Sequence, residues 1–291
     1  MHKPPAILFI TDDRPGHRSQ LAGLSLALQR CAGTQAIWLT SGGPLNVPDD
    51  CCPKLVVAAG RHTQWPALKL KWKFSIPAVV LMRPTLPRFL FDCCVVPEHD
   101  GLAASASIIV TKGALNAVAT SNTMQPEQGL ILLGGVSKHF DCDSKQLLTE
   151  LKKLCQLMPE INWTLTTSPR TPSELAVELE ALALENVKLV PYQQTDAIWL
   201  AKHYQMSAVI WVTEDSMSMV YEALSTGAKV GLLRMPAKRS TRLTCAMETL
   251  RSSGTLVQTI EGLQAGKKWP RPKPLQEANR VAQIIAQQFL V

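Results

Sequence analysis

The sequence lacks any apolar run long enough to cross a bilayer as a helix, which takes about twenty consecutive residues, so a helical membrane-spanning class is excluded. It lacks a C-x-x-C pair: Cys51-Cys52 and Cys93-Cys94 are adjacent, and Cys31, Cys142, Cys155 and Cys245 are scattered. That spacing suits neither a zinc site nor a disulfide framework and predicts reduced, mostly buried thiols. G-x-G-x-x-G and G-x-x-x-x-G-K-[ST] are both missing, which speaks against nicotinamide or flavin use and against a P-loop. No helix-turn-helix or finger signature is present. The opening MHKPPAILFITDD has no small-residue cleavage site and runs directly into an acidic pair, so it reads as a first strand rather than a signal peptide, and the expected location is cytoplasmic.

What remains is a globular composition, 46% hydrophobic and only 18% charged, in 291 residues that suit one large domain or two ordinary ones. The net charge is +7, with cations gathered at Arg234, Lys238, Arg239 and Arg242 and again at Lys267, Lys268, Arg271 and Lys273. Such patches suit an anionic small substrate, lipid head groups or nucleic acid. Because they lack interleaved aromatics except Trp269, nucleic acid is the disfavoured partner.

Short apolar, β-branched runs recur between helical patterns. Strands are expected at Ala6 to Thr11, Ala36 to Leu39, Lys54 to Ala58, Pro77 to Met82, Phe91 to Val96 and Ile108 to Thr111. After a polar, proline-containing stretch, Thr120 to Gln128, the series resumes with Leu130 to Leu133, Asn162 to Thr166, Val187 to Val190, Ala208 to Thr213 and Val230 to Leu233. The helix after the first strand is expected from Ser19 to about Arg30. The helix from Pro66 to Lys71 has an exposed cationic flank. The last segment, Leu275 to Leu290, is amphipathic; it packs on the body of the protein or, in the minority reading, touches a membrane surface. The expected fold is α/β, two Rossmann-like domains facing a cleft, covering residues 1–124 and 125–291, with the terminal helix in the second.

Ligands of open α/β sheets bind outside the carboxyl ends of the strands, and the polar residues of this chain gather there. The first strand is followed by Asp12-Asp13-Arg14-Pro15-Gly16-His17. A histidine titrates close to neutrality and suits proton transfer, with Asp12 or Asp13 placed to orient it. Gly60-Arg61-His62-Thr63 and Pro97-Glu98-His99-Asp100 end two further strands. In the second half, Gly134-Gly135-Val136-Ser137-Lys138-His139 follows a strand as a phosphate cradle would, with Lys138 as its cation. Thr167-Ser168-Pro169-Arg170 ends the next strand.

The richest stretch is Ser207 to Leu233, a strand, the loop Glu214-Asp215-Ser216, a helix over Met217 to Thr226, a Gly227 cap and a second strand. Ser216 or Asp215 would cap that helix, whose N-terminus favours an anion; Ser218 lies in its first turn and Glu222 one turn on. Glu214 and Asp215 would repel a phosphate, and a capped structural helix is the plain alternative.

Taken together, these motifs resemble the elongated-mitochondria, or mitochondrial fission, family, whose bacterial members are regarded as two-domain glycosyltransferases of the GT-B type. DDRPGH from Asp12 to His17 resembles the family's Asp-Gly-Arg/Lys-Pro-Gly-His, continued by Gln20, Gly23 and Leu24. Gly60 to Thr63, Arg83-Pro84, Phe91-Asp92, Pro97 to Leu102, Thr111 to Asn116, Leu133 to Lys138, Thr167 to Pro172 and Thr213 to Gly227 follow in the family's order. Asp13 stands where the family usually has glycine, and Pro169 where an arginine is common.

The resemblance implies transfer of a sugar from a nucleotide-diphosphate sugar to an acceptor, an envelope-glycan or lipid-linked one being attractive, with no cofactor and no required metal. It implies that His17 is a general base oriented by Asp12, and that Arg14, Arg61, Glu98 and His99 line the acceptor half. The donor half would use Gly134, Gly135, Lys138, Ser168, Arg170, Ser216 and Ser218 around the diphosphate and Glu222 on sugar hydroxyls. Such an enzyme is expected in the cytoplasm, at the periphery of the inner membrane. The alternative is a non-enzymatic recruitment protein on the same scaffold, because a fold does not fix a function.

Overall fold

The computed structural model describes residues 4–269 and 271–290. Met1–Lys3, at the head of the first-strand segment, Pro270 and Val291 lie outside the described residues. The chain divides into two compact units, 1–117 with 276–291, and 118–275.

The first unit opens with β1 (Ala6–Thr11), α1 (Pro15–Ala32), β2 (Gln35–Thr40), β3 (Pro53–Ala59), α2 (Gln64–Phe74), β4 (Ala78–Leu81), β5 (Cys93–Pro97) and β6 (Ile108–Thr111). These strands form one parallel sheet in the order β2-β1-β3-β4-β5-β6. The central strands β1, β3, β4 and β5 are wholly or almost wholly buried, as both-face packing of a parallel sheet demands and as their unbroken apolar runs foretell. Leu21, Leu24 and Leu28 of α1 cover one face; Ala67, Leu68 and Leu70 of α2 cover the other.

Helix α1 begins at Pro15, four residues before the expected start at Ser19. Proline at the first helical position costs nothing, since that N–H has no partner inside a helix. His17 therefore lies in the first turn of α1 and not in a free loop. Phe91 and Asp92 precede β5 instead of starting it, and the Asp92 carboxylate accepts the backbone N–H of Ala78 at 2.7 Å.

The second unit continues with β7 (Gln125–Leu132), α3 (Ser144–Leu157), β8 (Asn162–Thr166), α4 (Ser173–Ala181), β9 (Val187–Val190), α5 (Ala197–Met206), β10 (Ser207–Thr213), α6 (Met217–Thr226), β11 (Lys229–Leu233), α7 (Arg242–Ser253), β12 (Val257–Thr259) and α8 (Ile260–Gln264). Its parallel sheet runs β12-β11-β10-β7-β8-β9. Numbered within the unit this is 3-2-1-4-5-6 read from the β9 edge, the order of a dinucleotide-type α/β domain. Two cross-strand pairs set its core. Gly129 lies opposite Trp163, and Gly231 opposite Trp211. A Cβ on either glycine would fall 2.3–2.4 Å from the indole of its partner, so the missing side chains make room for two fully buried rings.

The last helix, α9 (Glu277–Phe289), belongs with the first unit, not with the second as the sequence suggested. Val281, Ala282 and Ile285 are buried in the core that α1 shares with β1 and β3. Burial of Val281 and Ile285 stabilises by roughly 1.5–3 kcal/mol each. Arg30 donates to Asn279 at 2.8 Å and Arg280 to the Val110 carbonyl at 2.6 Å, fixing the helix along its polar side. The apolar stripe is thus spent on packing, the main reading of its sequence, and not on the membrane contact of the minority reading. The compact second unit likewise starts at Val118 rather than at residue 125.

All eight cysteines are free; Cys93, Cys94 and Cys155 are buried, whereas Cys31, Cys52 and Cys245 are exposed, so the thiols are not mostly buried as expected. Among the described residues no helix is long and apolar enough to cross a membrane.

Candidate functional site

Each sheet has one place where successive strands turn from building leftward to building rightward, and the loops there part to leave a crevice. In the first unit that place lies between β1 and β3. The loop after β1 carries Asp12, whose Oδ1 lies 2.7 Å from Nδ1 of His17. The loop after β3 carries Gly60 at φ +97°, a conformation that L side chains rarely adopt. A Cβ at Gly60 would lie 2.5 Å from His17 Nδ1 and 2.9 Å from Asp12 Oδ2. The acid–imidazole pair therefore sits directly against bare backbone.

The Asp12 side chain is 7% exposed and that of His17 19%. Burial pushes the Asp12 carboxyl up; the hydrogen bond and charge of His17, with the backbone N–H and charge of Arg14, outweigh it and hold the group below its ordinary value. Ionised Asp12 accepts from Nδ1–H, and that tautomer leaves the lone pair on Nε2. Asp12 Oδ2 is buried with no hydrogen-bond donor, though Arg14 Nε stands 3.6 Å away.

Asp13 occupies the left-handed region at φ +58°. This gives the glycine of the family motif a physical reason. Aspartate is one of the few other residues that tolerates the conformation, and here its N–H donates to Thr11 Oγ1 at 2.9 Å.

Arg61 is exposed in the 3₁₀ turn that follows Gly60. Glu98 and His99 sit in the 3₁₀ turn after β5, Glu98 exposed and His99 half-buried with an unpartnered Nδ1. Since β3 and β4 separate β5 from β1, that turn lies about 14 Å along the sheet from the Asp12 loop. Of the residues expected in this half, the structure joins Asp12, His17 and Arg14, places Arg61 next to Gly60, and leaves Glu98 and His99 apart.

In the second unit the equivalent crevice lies between β7 and β10. Gly134 and Gly135 follow β7, and both are buried. Gly134 N–H donates to Thr213 Oγ1 at 2.7 Å, and Gly135 N–H to Asp215 Oδ2 at 3.2 Å. Arg170, from the loop after β8, places Nη1 2.6 Å from the same carboxylate oxygen, whose side chain is fully buried. Thr171 Oγ1 donates to the Gly134 carbonyl at 2.5 Å and accepts the Ser168 N–H at 2.9 Å. A Cβ at Gly134 would meet the Asp215 carboxylate at 2.2 Å, and one at Gly135 the Arg170 carbonyl at 1.9 Å. Three strand-end loops are thus locked together by glycine contacts and one buried acid.

This resolves the difficulty posed by Glu214 and Asp215. Neither faces outward as a free charge. Asp215 anchors the glycine loop and Arg170. Glu214 accepts the Met235 N–H at 3.1 Å and lies 3.4 Å from Arg251 Nε. Burial raises the Glu214 carboxyl to about 7, against the pull of that N–H and of the Arg251 and Arg234 charges.

Ser216, and not Asp215, caps α6, its hydroxyl accepting the Met219 N–H at 3.5 Å. Ser218 is exposed in the first turn. Glu222 is half-buried one turn on and accepts from Tyr204 Oη at 3.2 Å, so its carboxylate is tied to α5. Lys138 is solvent-exposed at the far end of the glycine loop, beyond Ser137, whose Oγ accepts the Phe140 N–H at 3.0 Å. The basic loop before α7 joins this edge: Phe140 pairs with Ala237, and Lys238 N–H donates to the His139 carbonyl at 2.8 Å.

The sequence does not distinguish Thr171 and Thr213 as members of this site. Their signal was present, since each is a hydroxyl at the end of an apolar strand or its loop, but many threonines share that pattern. Among the described residues no group of three or more histidine, cysteine, aspartate or glutamate side chains is placed to hold a metal ion.

The model of the mitochondrial fission ELM1 family matches residues 15–289, and the chain belongs to that family. An uncharacterized protein of Rickettsia prowazekii (strain Madrid E) is 25% identical, over 96% of this chain and 97% of its own. The fold is similar to that of the UDP-GlcNAc 2-epimerase of Neisseria meningitidis bound to UDP-GlcNAc, at a TM-score of 0.60 and 12% identity, covering 98% of this chain and 99% of the other. It is also similar to MurG of Acinetobacter baumannii, at a TM-score of 0.57 and 12% identity over 98% and 100%. A GT-B-like pair of Rossmann-type units is thereby established for this chain.

Proposed function

We propose that this ELM1-family chain transfers a sugar from a nucleotide-diphosphate sugar to a hydroxyl acceptor. The observation that carries the reading is the 2.7 Å Asp12–His17 pair at the crevice of the first sheet. A histidine held in one tautomer by an ionised acid, with its other nitrogen left as a lone pair, is the arrangement a general base needs.

In this reading His17 Nε2 takes the acceptor hydroxyl proton as the acceptor oxygen bonds to the anomeric carbon. The bond from that carbon to the diphosphate oxygen breaks, and the nucleoside diphosphate leaves. A single displacement of this kind inverts the anomeric configuration. Arg14 and Arg61 are the acceptor-side cations, with Glu98 and His99 further along the same edge.

The donor is assigned to the second unit. The α6 N-terminus, with the Ser216 and Ser218 hydroxyls, is suited to the diphosphate, because N–H groups and the helix dipole favour an anion there. Lys138 supplies positive charge, while Arg170 is partly neutralised by Asp215 and serves mainly to fix the loops. Gly134 and Gly135 let the loops after β7, β8 and β10 pack together beneath the site, Ser168 supports their loop, and Glu222 is the candidate for sugar hydroxyls. The neighbour from Neisseria meningitidis is bound to UDP-GlcNAc, which supports a nucleotide-sugar ligand. No resident metal is invoked, since helix and side chains supply the charge for the leaving group. The acceptor is taken to be an envelope-glycan or lipid-linked hydroxyl, and the place of action the cytoplasmic side of the inner membrane.

The test is turnover of a nucleotide-sugar panel with wild-type protein and His17→Ala. Release of nucleoside diphosphate by the wild type alone supports the reading; equal rates for both proteins contradict it.

A further inference from the structure

Between Asp50 and Asp92 the sequence contains no acidic residue, yet it holds Lys54, Arg61, Lys69, Lys71, Lys73, Arg83 and Arg88. The same segment carries the most exposed aromatic side chains of the first unit. Trp65 is 54% exposed, Trp72 55% and Phe89 85%. Trp65 and Trp72 are seven residues apart on α2, so they share a face, and their rings meet edge-on with centroids 5.9 Å apart. Lys69 and Lys73 fall on that face or its border at helical spacing, and both are exposed.

The loop that follows β4 is fastened along α2 at both ends. Gln64 Oε1 accepts from Thr85 N–H, Thr85 Oγ1 and Leu86 N–H at 3.0–3.1 Å. Lys71 Nζ donates to the Leu90 carbonyl at 3.0 Å and pairs with Asp92 at 2.7 Å. Arg88 and Phe89 are thereby held out next to the helix, both solvent-exposed. Lys71 is spent on this fastening, leaving Lys69, Lys73 and Arg88 as outward cations beside three outward aromatics.

Scattered exposed apolar residues need no explanation, but three large aromatics on adjoining, rigidly held elements do. Aromatic rings with a polar or apolar body at one level and cations around them are the composition of a membrane-interface contact, where rings enter the headgroup region and lysines and arginines meet anionic lipid. Neither a wholly apolar protein partner nor a bare anion would call for both.

We infer that the face formed by Trp65, Lys69, Trp72, Lys73, Arg88 and Phe89 docks on an anionic membrane surface. Helix α2 starts just after Gly60, the residue packed against His17. Trp65 lies at the carboxyl edge of the first sheet, while Trp72, Arg88 and Phe89 lie toward the amino edge, where Lys71 pairs with Asp92 before β5. Docking of the whole face therefore lays α2 along the surface and brings the Gly60 turn to the headgroup level. If the glycosyl-transfer reading holds, the acceptor is then a hydroxyl carried by the membrane; the docking itself does not depend on that reading.

The experiment is co-sedimentation of the full chain with vesicles, either phosphatidylcholine alone or with one-third phosphatidylglycerol, at low and high salt. Wild type is expected to bind the anionic vesicles at least tenfold more strongly than the neutral ones and to be released by salt, since charges farther apart than a Debye length are screened. W65S/W72S/F89S, with circular dichroism and melting temperature unchanged, is expected to lose binding at least tenfold, and K69E/K73E/R88E to lose the preference for anionic lipid. The proposal is overturned if wild type ignores anionic vesicles, or if the folded aromatic variant binds like wild type. It is also overturned if analytical ultracentrifugation shows that the patch holds two copies together, or if RNA competes the vesicles off and K69E/K73E/R88E loses RNA alone. Donor binding, measured separately by calorimetry on the same variants, is expected to be unchanged. Loss of vesicle binding with intact donor binding separates this inference from the enzymatic reading.

Discussion

Asp12 Oδ1 and His17 Nδ1 lie 2.7 Å apart, joining the loop after β1 to the first turn of α1, with Gly60 closing the space behind them. Much of the proposed chemistry depends on that distance. Asp12→Asn keeps the shape but replaces the acceptor of Nδ1–H by an amide that can hold the wrong tautomer. The rate is expected to fall by about 10²–10⁴-fold, with His17→Ala equally damaging and the double variant no worse than either single one. Steady-state kinetics on the three variants, with donor affinity unchanged, checks this.

The left-handed backbone at Asp13 predicts an asymmetric response. Asp13→Gly is expected to leave stability unchanged or raise it slightly, because the exposed Asp13–Arg18 pair it removes contributes little. Asp13→Val is expected to cost about 1–2 kcal/mol, the penalty of forcing a β-branched residue into that region. Chemical denaturation of both variants decides the matter.

The glycine loop of the second unit tolerates no side chain. Gly134→Ala and Gly135→Ala would push a methyl group into the Asp215 carboxylate and the Arg170 carbonyl. Overpacking of this kind costs about 1–3 kcal/mol. Nucleotide affinity is expected to drop more than tenfold even where the variant remains folded. Thr171→Val, which removes the bond to the Gly134 carbonyl, is expected to act in the same direction and more weakly. Calorimetry below the melting temperature separates the loss of binding from the loss of fold.

The raised Glu214 carboxyl predicts the sign of a pH effect. Its folded value near 7 lies above the ordinary 4.5, so the native state holds a proton that the unfolded chain has released between those limits. The stabilisation is complete below about pH 4.5 and is lost as pH rises through 7. The loss is on the order of 3 kcal/mol in the second unit. Glu214→Gln is expected to flatten that slope. Urea titrations at pH 5, 6, 7 and 8 on the two proteins report it.

The fold was largely legible because burial on both faces of a parallel sheet leaves unbroken apolar runs such as AILFIT and SAVIWVT, and because polar loops follow them. Helix α6 falls at its expected limits, with Ser216 as N-cap and Gly227 in the left-handed C-cap. What escaped has physical reasons. Strand β12 is three residues, Val257–Thr259, too short to carry a period. The start of β7, Gln125 to Gln128, is mostly exposed and therefore polar. The terminal helix shows an apolar stripe in sequence, but nothing in it says that the stripe meets α1, more than 240 residues earlier in the chain, and so belongs to the first unit. At the site, Asp12 and His17 stood out by type and spacing. The burial of Asp215 under Gly135 did not, because a carboxylate beside a helix start looks the same whether it faces solvent or turns inward to an arginine from 45 residues earlier.

Glycosyl transfer by this chain requires first that a nucleotide-diphosphate sugar bind to it. Isothermal titration calorimetry with a panel of UDP-, GDP-, ADP- and dTDP-sugars measures it. At least one sugar nucleotide is expected to bind wild-type protein in the micromolar to millimolar range, with the affinity lost in Gly135→Ala and kept in His17→Ala. Absence of binding across the whole panel by the folded wild type would contradict the account.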